Sequence, residues 1–256
     1  MSARAANRLA LALLAAVGFA LTSATAHAGS IVGCGPTGAN CAWEVYVDGQ
    51  LELYGTYDVN LETGQISLPA PVFQDLSGGR SFSVTSLNGN ADPIMGFGLG
   101  AATGASGSTF VFNLNLPIAI SGTIDASSSV SYSLTSLSAA GAQISPFLGP
   151  AVVIGNEVDT SIGGLGSLNK GVDVGPTFFF TGGPQTQNSP VYTATNSFTG
   201  DLAYDLMTVS IAFSLSANSS VGVSGFVQQV ENAPEPAMLG LLAIVGVGLA
   251  LRRRSA

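Results

Sequence analysis

Apolar and polar residues alternate through most of the chain between Gly29 and Glu231, the period of a half-buried strand, while stretches of helical period are hard to find. Residues 208–216 are the clearest case. Val209, Ile211, Phe213 and Leu215 share one face there, and Thr208, Ser210, Ala212, Ser214 and Ser216 the other. Residues 220–227 repeat the pattern with Val221, Val223 and Val227 after an Asn218-Ser219 turn, which predicts a terminal hairpin. Phe110, Phe112, Leu114 and Leu116 line one face of a strand ahead of Pro117, and Val130, Tyr132 and Leu134 line one face of another. Gly-, Ser- and Thr-rich stretches at 100–108, 162–167 and 181–189 read as loops. Short strands broken by Gly, Asn and Pro predict an all-β fold, an antiparallel β-sandwich or jelly-roll.

The first hairpin sets two signals against each other. Asp48-Gly49 favours a two-residue turn. That register mixes apolar and charged residues on both faces, whereas a three-residue loop, Asp48-Gly49-Gln50, aligns Val45 with Leu53 and Val47 with Leu51. The second register is expected, because a slip of one residue flips every side chain. It gathers Glu44, Tyr46, Glu52 and Tyr54 on the polar face and sends Trp43 to the core.

The ends follow other patterns. Residues 1–28 carry Arg4 and Arg8, an apolar run over 9–21, and small residues Ala26 and Ala28 around His27, the layout of a signal peptide cut after Ala28 and read by the secretion machinery. Toward the other end, Pro234-Glu235-Pro236 precedes 15 apolar residues over 237–251, then Arg252, Arg253 and Arg254. As a helix that run reaches about 22 Å against a hydrocarbon core of about 30 Å. A short C-terminal membrane helix is expected, with its arginines cytoplasmic and residues 29–233 outside.

The Pro-Glu-Pro tripeptide, the apolar segment and the arginine cluster, in that order behind a signal peptide, resemble the PEP-CTERM sorting signal of exopolysaccharide-producing Gram-negative bacteria. The resemblance covers residues 234–254. It implies recognition by an exosortase, a membrane transpeptidase-like protease, with cutting near Pro234, Glu235 and Pro236. Transient anchoring in the inner membrane is then followed by release or transfer to the cell surface or extracellular matrix, with exopolysaccharide as a candidate partner. The chain thus divides into a signal peptide (1–28), a β-sandwich passenger (29–233) and a sorting signal (234–256).

Charge narrows the passenger's partners. It holds two basic residues, Arg80 and Lys170, against fourteen acids, a net charge of −12. Such a surface repels nucleic acid and anionic lipid, and leaves divalent cations or neutral glycans. Cys34 and Cys41, in a chain bound for an oxidising compartment, are expected to form a disulfide. Asn88, Asn90 and Asp92 space three oxygen side chains as calcium loops do, but Leu99 stands at the twelfth position, so Asx turns are the stronger expectation and calcium the one candidate cofactor. Tyr46 and Tyr54 beside Glu44 and Glu52 are candidate glycan contacts.

Removal of His27 leaves the exported chain without histidine, so Ser-His-Asp and Cys-His machineries are closed to it. Asp58 with Asn60 and Glu62, and Glu157 with Asp159, are acidic pairs that nothing selects as catalytic. The expectation is a non-catalytic exported envelope or biofilm protein. A glycan- or calcium-binding module is the alternative, and a carboxylate-dependent hydrolase the third reading.

Overall fold

Alternation becomes strand almost throughout the computed structural model, which describes residues 42–60, 65–90, 93–147, 153–159 and 171–232. Among the described residues the order is β1 (Ala42–Val47), β2 (Gln50–Thr56), β3 (Asp58–Asn60), β4 (Gln65–Ser67), β5 (Val72–Asp75), β6 (Ser81–Asn90) and β7 (Ile94–Ala102). It continues with β8 (Ser108–Ser136), β9 (Ala142–Pro146), β10 (Ile154–Asp159), β11 (Phe178–Phe180), β12 (Gln185–Asn188), β13 (Tyr192–Leu215) and β14 (Ser219–Glu231). β7 shows the rule plainly: Met95, Phe97, Leu99 and Ala101 are buried, while Ile94, Gly96, Gly98, Gly100 and Ala102 face out.

One hydrogen-bonded sheet folds over itself into two packed antiparallel layers. β8 and β13 are long enough to serve both, pairing from Tyr192 opposite Val130 to Leu215 opposite Ser108. Where Gly200 meets Gly122 the register breaks, and Gly122 takes φ +71°, a left-handed value that costs glycine little. Before that bend β8 lies between β1 and β13, with β2 beyond β1 and with β9 and β10 beyond β13. After it, β8 lies between β14 and the pair β12 and β13, and the layer continues through β7, β6, β4 and β3. Phe82 of β6 meets Phe112 of β8 edge-to-face across the layers at 6.4 Å, and Phe110 and Phe112 stack on Phe213 at 5.6 and 6.2 Å. Such pairs add about 0.5–1.5 kcal/mol each beyond the area they bury. Trp43 sits in this core, 4% exposed.

The structure corrects several expectations. The strands read as separate around Pro117 and Tyr132 are one bent strand, β8. The terminal hairpin does not form: β14 pairs with β7 and β8, and β13 lies on the other side of β8. The turn at residues 216–218 instead steps from one layer to the other, held by Thr103, whose buried hydroxyl donates to the Ser216 carbonyl at 2.5 Å. Strand pairing also claims part of two presumed loops, since β7 runs to Ala102 and β12 occupies residues 185–188.

The first hairpin does not close through the expected three-residue loop, and the pairing of Val47 with Leu51 does not form. Asp48 (φ 51°) and Gly49 (φ 79°) make the two-residue turn, with Val47 opposite Gln50. A bulge between Val45 and Tyr46 on the register then restores Val45 opposite Leu53 and Glu44 opposite Tyr54. Leu51, expected inside beside Val47, is instead 50% exposed opposite Tyr46.

Candidate functional site

The outer face of the first layer carries the tyrosines. Directly paired residues project to the same side, so Tyr54, Glu44, Asn113 and Ser210 form one row across β2, β1, β8 and β13. Tyr46 lies in the next row, with Leu51 and Val111. The Tyr46 hydroxyl donates to Glu44 Oε2 at 2.8 Å, and the Ser210 hydroxyl donates to Asn113 Oδ1 at 3.0 Å. The hydrogen bond to Glu44, then slight burial and the carboxylate charge, raise the Tyr46 phenol above its ordinary pKa. Tyr54 is 71% exposed. Of the four glycan candidates the structure therefore brings Glu44, Tyr46 and Tyr54 together, while Glu52 is exposed at the bulge. Asn113 and Ser210 were missed because only strand pairing places them beside β1.

The turn of this hairpin is tied down. Asp48 Oδ2 meets Arg80 Nη1 at 2.6 Å, and the Thr109 N–H donates to Asp48 Oδ1 at 2.8 Å. Partial burial alone would raise the Asp48 carboxyl, but the Thr109 N–H and the Arg80 guanidinium outweigh it and hold the carboxyl below its ordinary pKa.

The calcium candidates sit elsewhere and in another conformation. Asn88 and Asn90 belong to β6, opposite Gly96 and Ile94, rather than to a loop or a chain of Asx turns. On an extended strand two such residues stand about 7 Å apart, whereas a calcium loop curls its oxygens to within about 2.5 Å of one ion. Asp92 lies outside the described residues, as do Glu62, Cys34, Cys41, Ala26, Ala28, Pro234, Glu235, Pro236 and Arg252 to Arg254. Among the described residues no group of three or more His, Cys, Asp or Glu is placed to hold a metal. Glu157 and Asp159 fall on β10 opposite Thr208 and Leu206.

What the structure does build around Asn88 and Asn90 is a concavity of about 700 Å³ on the outer face of the second layer, shared with Asp58, Asn60, Gln65 and Ser67. The same face holds a second hollow of about 530 Å³ at Ser127, Thr195, Asn196 and Gln228. A third, of about 620 Å³, lies over Gly98, Gly100 and Gly222, with Ser83, Ser131 and Asn188 at its sides. Neighbouring side chains use the space over the glycines of β7: a Cβ on Gly96, Gly98 or Gly100 would lie 2.6, 2.7 or 2.5 Å from Asn88 Oδ1, Ser86 Oγ or Ser83 Oγ, each of which would have to turn away.

Residues 232–254 match the PEP-CTERM protein-sorting motif. The motif marks an exported, envelope-sorted protein recognised by an exosortase. No curated protein matches the chain. Among solved structures, the chain is similar to the enzymatically active domain of tailspike protein 4 from bacteriophage CBA120 at 10% identity and TM-score 0.27, over 75% of this chain and 20% of that one. It is also similar to a family 11 carbohydrate-binding module from Clostridium thermocellum at 13% identity and TM-score 0.19, over 75% of this chain and 98% of that one. Likenesses of this degree carry no argument about activity.

Proposed function

We propose that the passenger is a non-catalytic protein delivered by exosortase to the cell surface or to a biofilm's exopolysaccharide matrix, where its β-sandwich has a structural or adhesive role. The observation that carries this reading is the sorting motif at residues 232–254 behind an acidic, all-β passenger. A span of 15 apolar residues suits a transient anchor better than a permanent one. Surface material from the producing bacterium is therefore expected to end near Pro236 and to lack Arg252 to Arg254, by mass spectrometry. Deleting the exosortase should leave the longer form in the membrane fraction. Intact arginines on most surface molecules would overturn the sorting role.

The row from Tyr54 to Ser210 favours a second reading, glycan contact on the first layer's outer face. An exposed aromatic ring offers a stacking surface, and the carboxylate, amide and hydroxyl beside it can bond sugar hydroxyls. On a glycan array, Tyr54→Ala should then erase the signal. An unchanged signal would reject this face as the contact.

A further inference from the structure

Two neighbouring rows on the outer face of the second layer carry an inference about the ligand. The first runs from Asp58 on β3 through Ser67, Asn88, Gly96 and Phe226 to Ser129 and then Thr193 on β13. It crosses seven strands, and at about 4.8 Å per strand spacing it is roughly 29 Å long. The second row holds Asn90, Ile94, Gln228, Ser127 and Thr195. Its two ends open into the hollows of about 700 and 530 Å³.

The chemistry of these rows is narrow. Asn88, Asn90 and Gln228 carry amides that both donate and accept, and Ser67, Ser127, Thr193 and Thr195 add hydroxyls at the surface, whereas Ser129 is buried; this is the pairing that sugar hydroxyls require. Phe226, 41% exposed, and half-buried Ile94 offer apolar surface midway, where the C–H face of a sugar ring can rest. Gly96 keeps that middle low, leaving the space beside Asn88 Oδ1 to the amide.

Charge selects among polymers. The two rows and the hollows at their ends hold two acids, Asp58 and Asp125, and no Lys or Arg, and the passenger as a whole stands at −12. Nucleic acid and acidic polysaccharides are repelled by such a surface. An extended peptide seeks an unpaired strand edge, whereas β7, β14 and β8 here are paired on both sides. We infer that this face is a docking track for a neutral polysaccharide chain laid across the strands and reaching both hollows. The inference rests on the non-catalytic envelope role above and adds the class of ligand.

The test uses the full chain purified in detergent and titrated calorimetrically with hexasaccharides of cellulose, xylan, mannan and galactan. Hexagalacturonate is the acidic counterpart, and calcium alone the cation control. At least one neutral hexasaccharide should bind, at least tenfold more tightly than its disaccharide, and hexagalacturonate should not. Asn90→Ala combined with Gln228→Ala should weaken binding at least tenfold with the circular dichroism spectrum unchanged, both side chains lying on the outer face. The track is overturned if no neutral hexasaccharide binds, if the disaccharide binds as well, or if the double variant binds normally. It is equally overturned if only Tyr54→Ala abolishes binding, or if the protein answers to calcium alone. Shortened sugar products would overturn the non-catalytic role and leave the track standing. A protein correctly cut and exported that ignores every neutral sugar would overturn the track alone.

Discussion

Asp48 shows how much one turn residue is asked to do. It adopts φ 51°, accepts from the Thr109 N–H and faces Arg80. Arg80→Ala removes an ion pair with the carboxylate 41% exposed, so a loss of only about 0.2–1 kcal/mol is expected in urea unfolding. Asp48→Ala should cost more, about 1–2 kcal/mol, because alanine resists left-handed backbone. Asp48→Asn should fall below that, since asparagine tolerates the conformation and can still accept from Thr109. The pH dependence follows from the lowered folded pKa. Asp48 contributes fully above its unfolded value near 3.9, and the contribution fades as pH falls through the lower folded value. Asp48→Asn should flatten that acid limb, and an unchanged limb would remove Asp48 from it. Asp48-Gly49 signalled the turn, but matching the faces favoured a three-residue loop, because no local window shows that a bulge between Val45 and Tyr46 restores the register. The turn's clamp was not legible, because Arg80 and Thr109 lie 32 and 61 positions away in the chain.

At the scale of elements, legibility followed period. Val209, Ile211, Phe213 and Leu215 are all buried, as strict alternation required, because one face of that strand meets the core. Pairing partners were not written there. A short turn between β13 and β14 reads as a hairpin, but alternation leaves open whether the chain pairs back on its own layer or crosses to the facing one. The continuity of β8 was hidden for a related reason: Pro117 looks like a terminator in one dimension, and in the structure it lies near the bend at Gly122 that β8 shares with β13. Gly122 can be tested directly. A Cβ there meets nothing within 4 Å, so Gly122→Ala probes the φ of +71° alone and should cost about 1 kcal/mol, with Gly122→Asn costing less. A larger loss, or a change in the β-sheet spectrum, would mean that the bend needs more than glycine's freedom. The amide-lined hollow was half legible, since Asn88, Asn90, Asp58 and Asn60 stood out as spaced polar residues. What joined them was the pairing of β3, β4 and β6, which no local window contains.

For the molecule as a whole, two tyrosines report the integrity of the sandwich. Burial raises both the Tyr57 and Tyr132 phenols, Tyr132 also being near Tyr192, so the folded protein keeps their protons when an unfolded chain would release them. Since the folded state binds the extra protons, stability should fall as pH rises above about 10. Alkaline absorbance titration should show these two of the six tyrosines ionising only as the sheet signal is lost. Ionisation of Tyr57 and Tyr132 in the folded protein would contradict their burial. The position of β14 has a consequence of another kind. It is the strand that leads straight into the sorting motif at residue 232, and along Ser220–Gln228 it is laced to β7 on one side and β8 on the other. For a chain held by its C-terminal end and loaded along β14, the bonds to β7 and to β8 would be strained together in shear. An edge strand would carry the same load on one ladder of bonds instead of two. In a chain held by that end, β14 stands where a mooring line would be made fast.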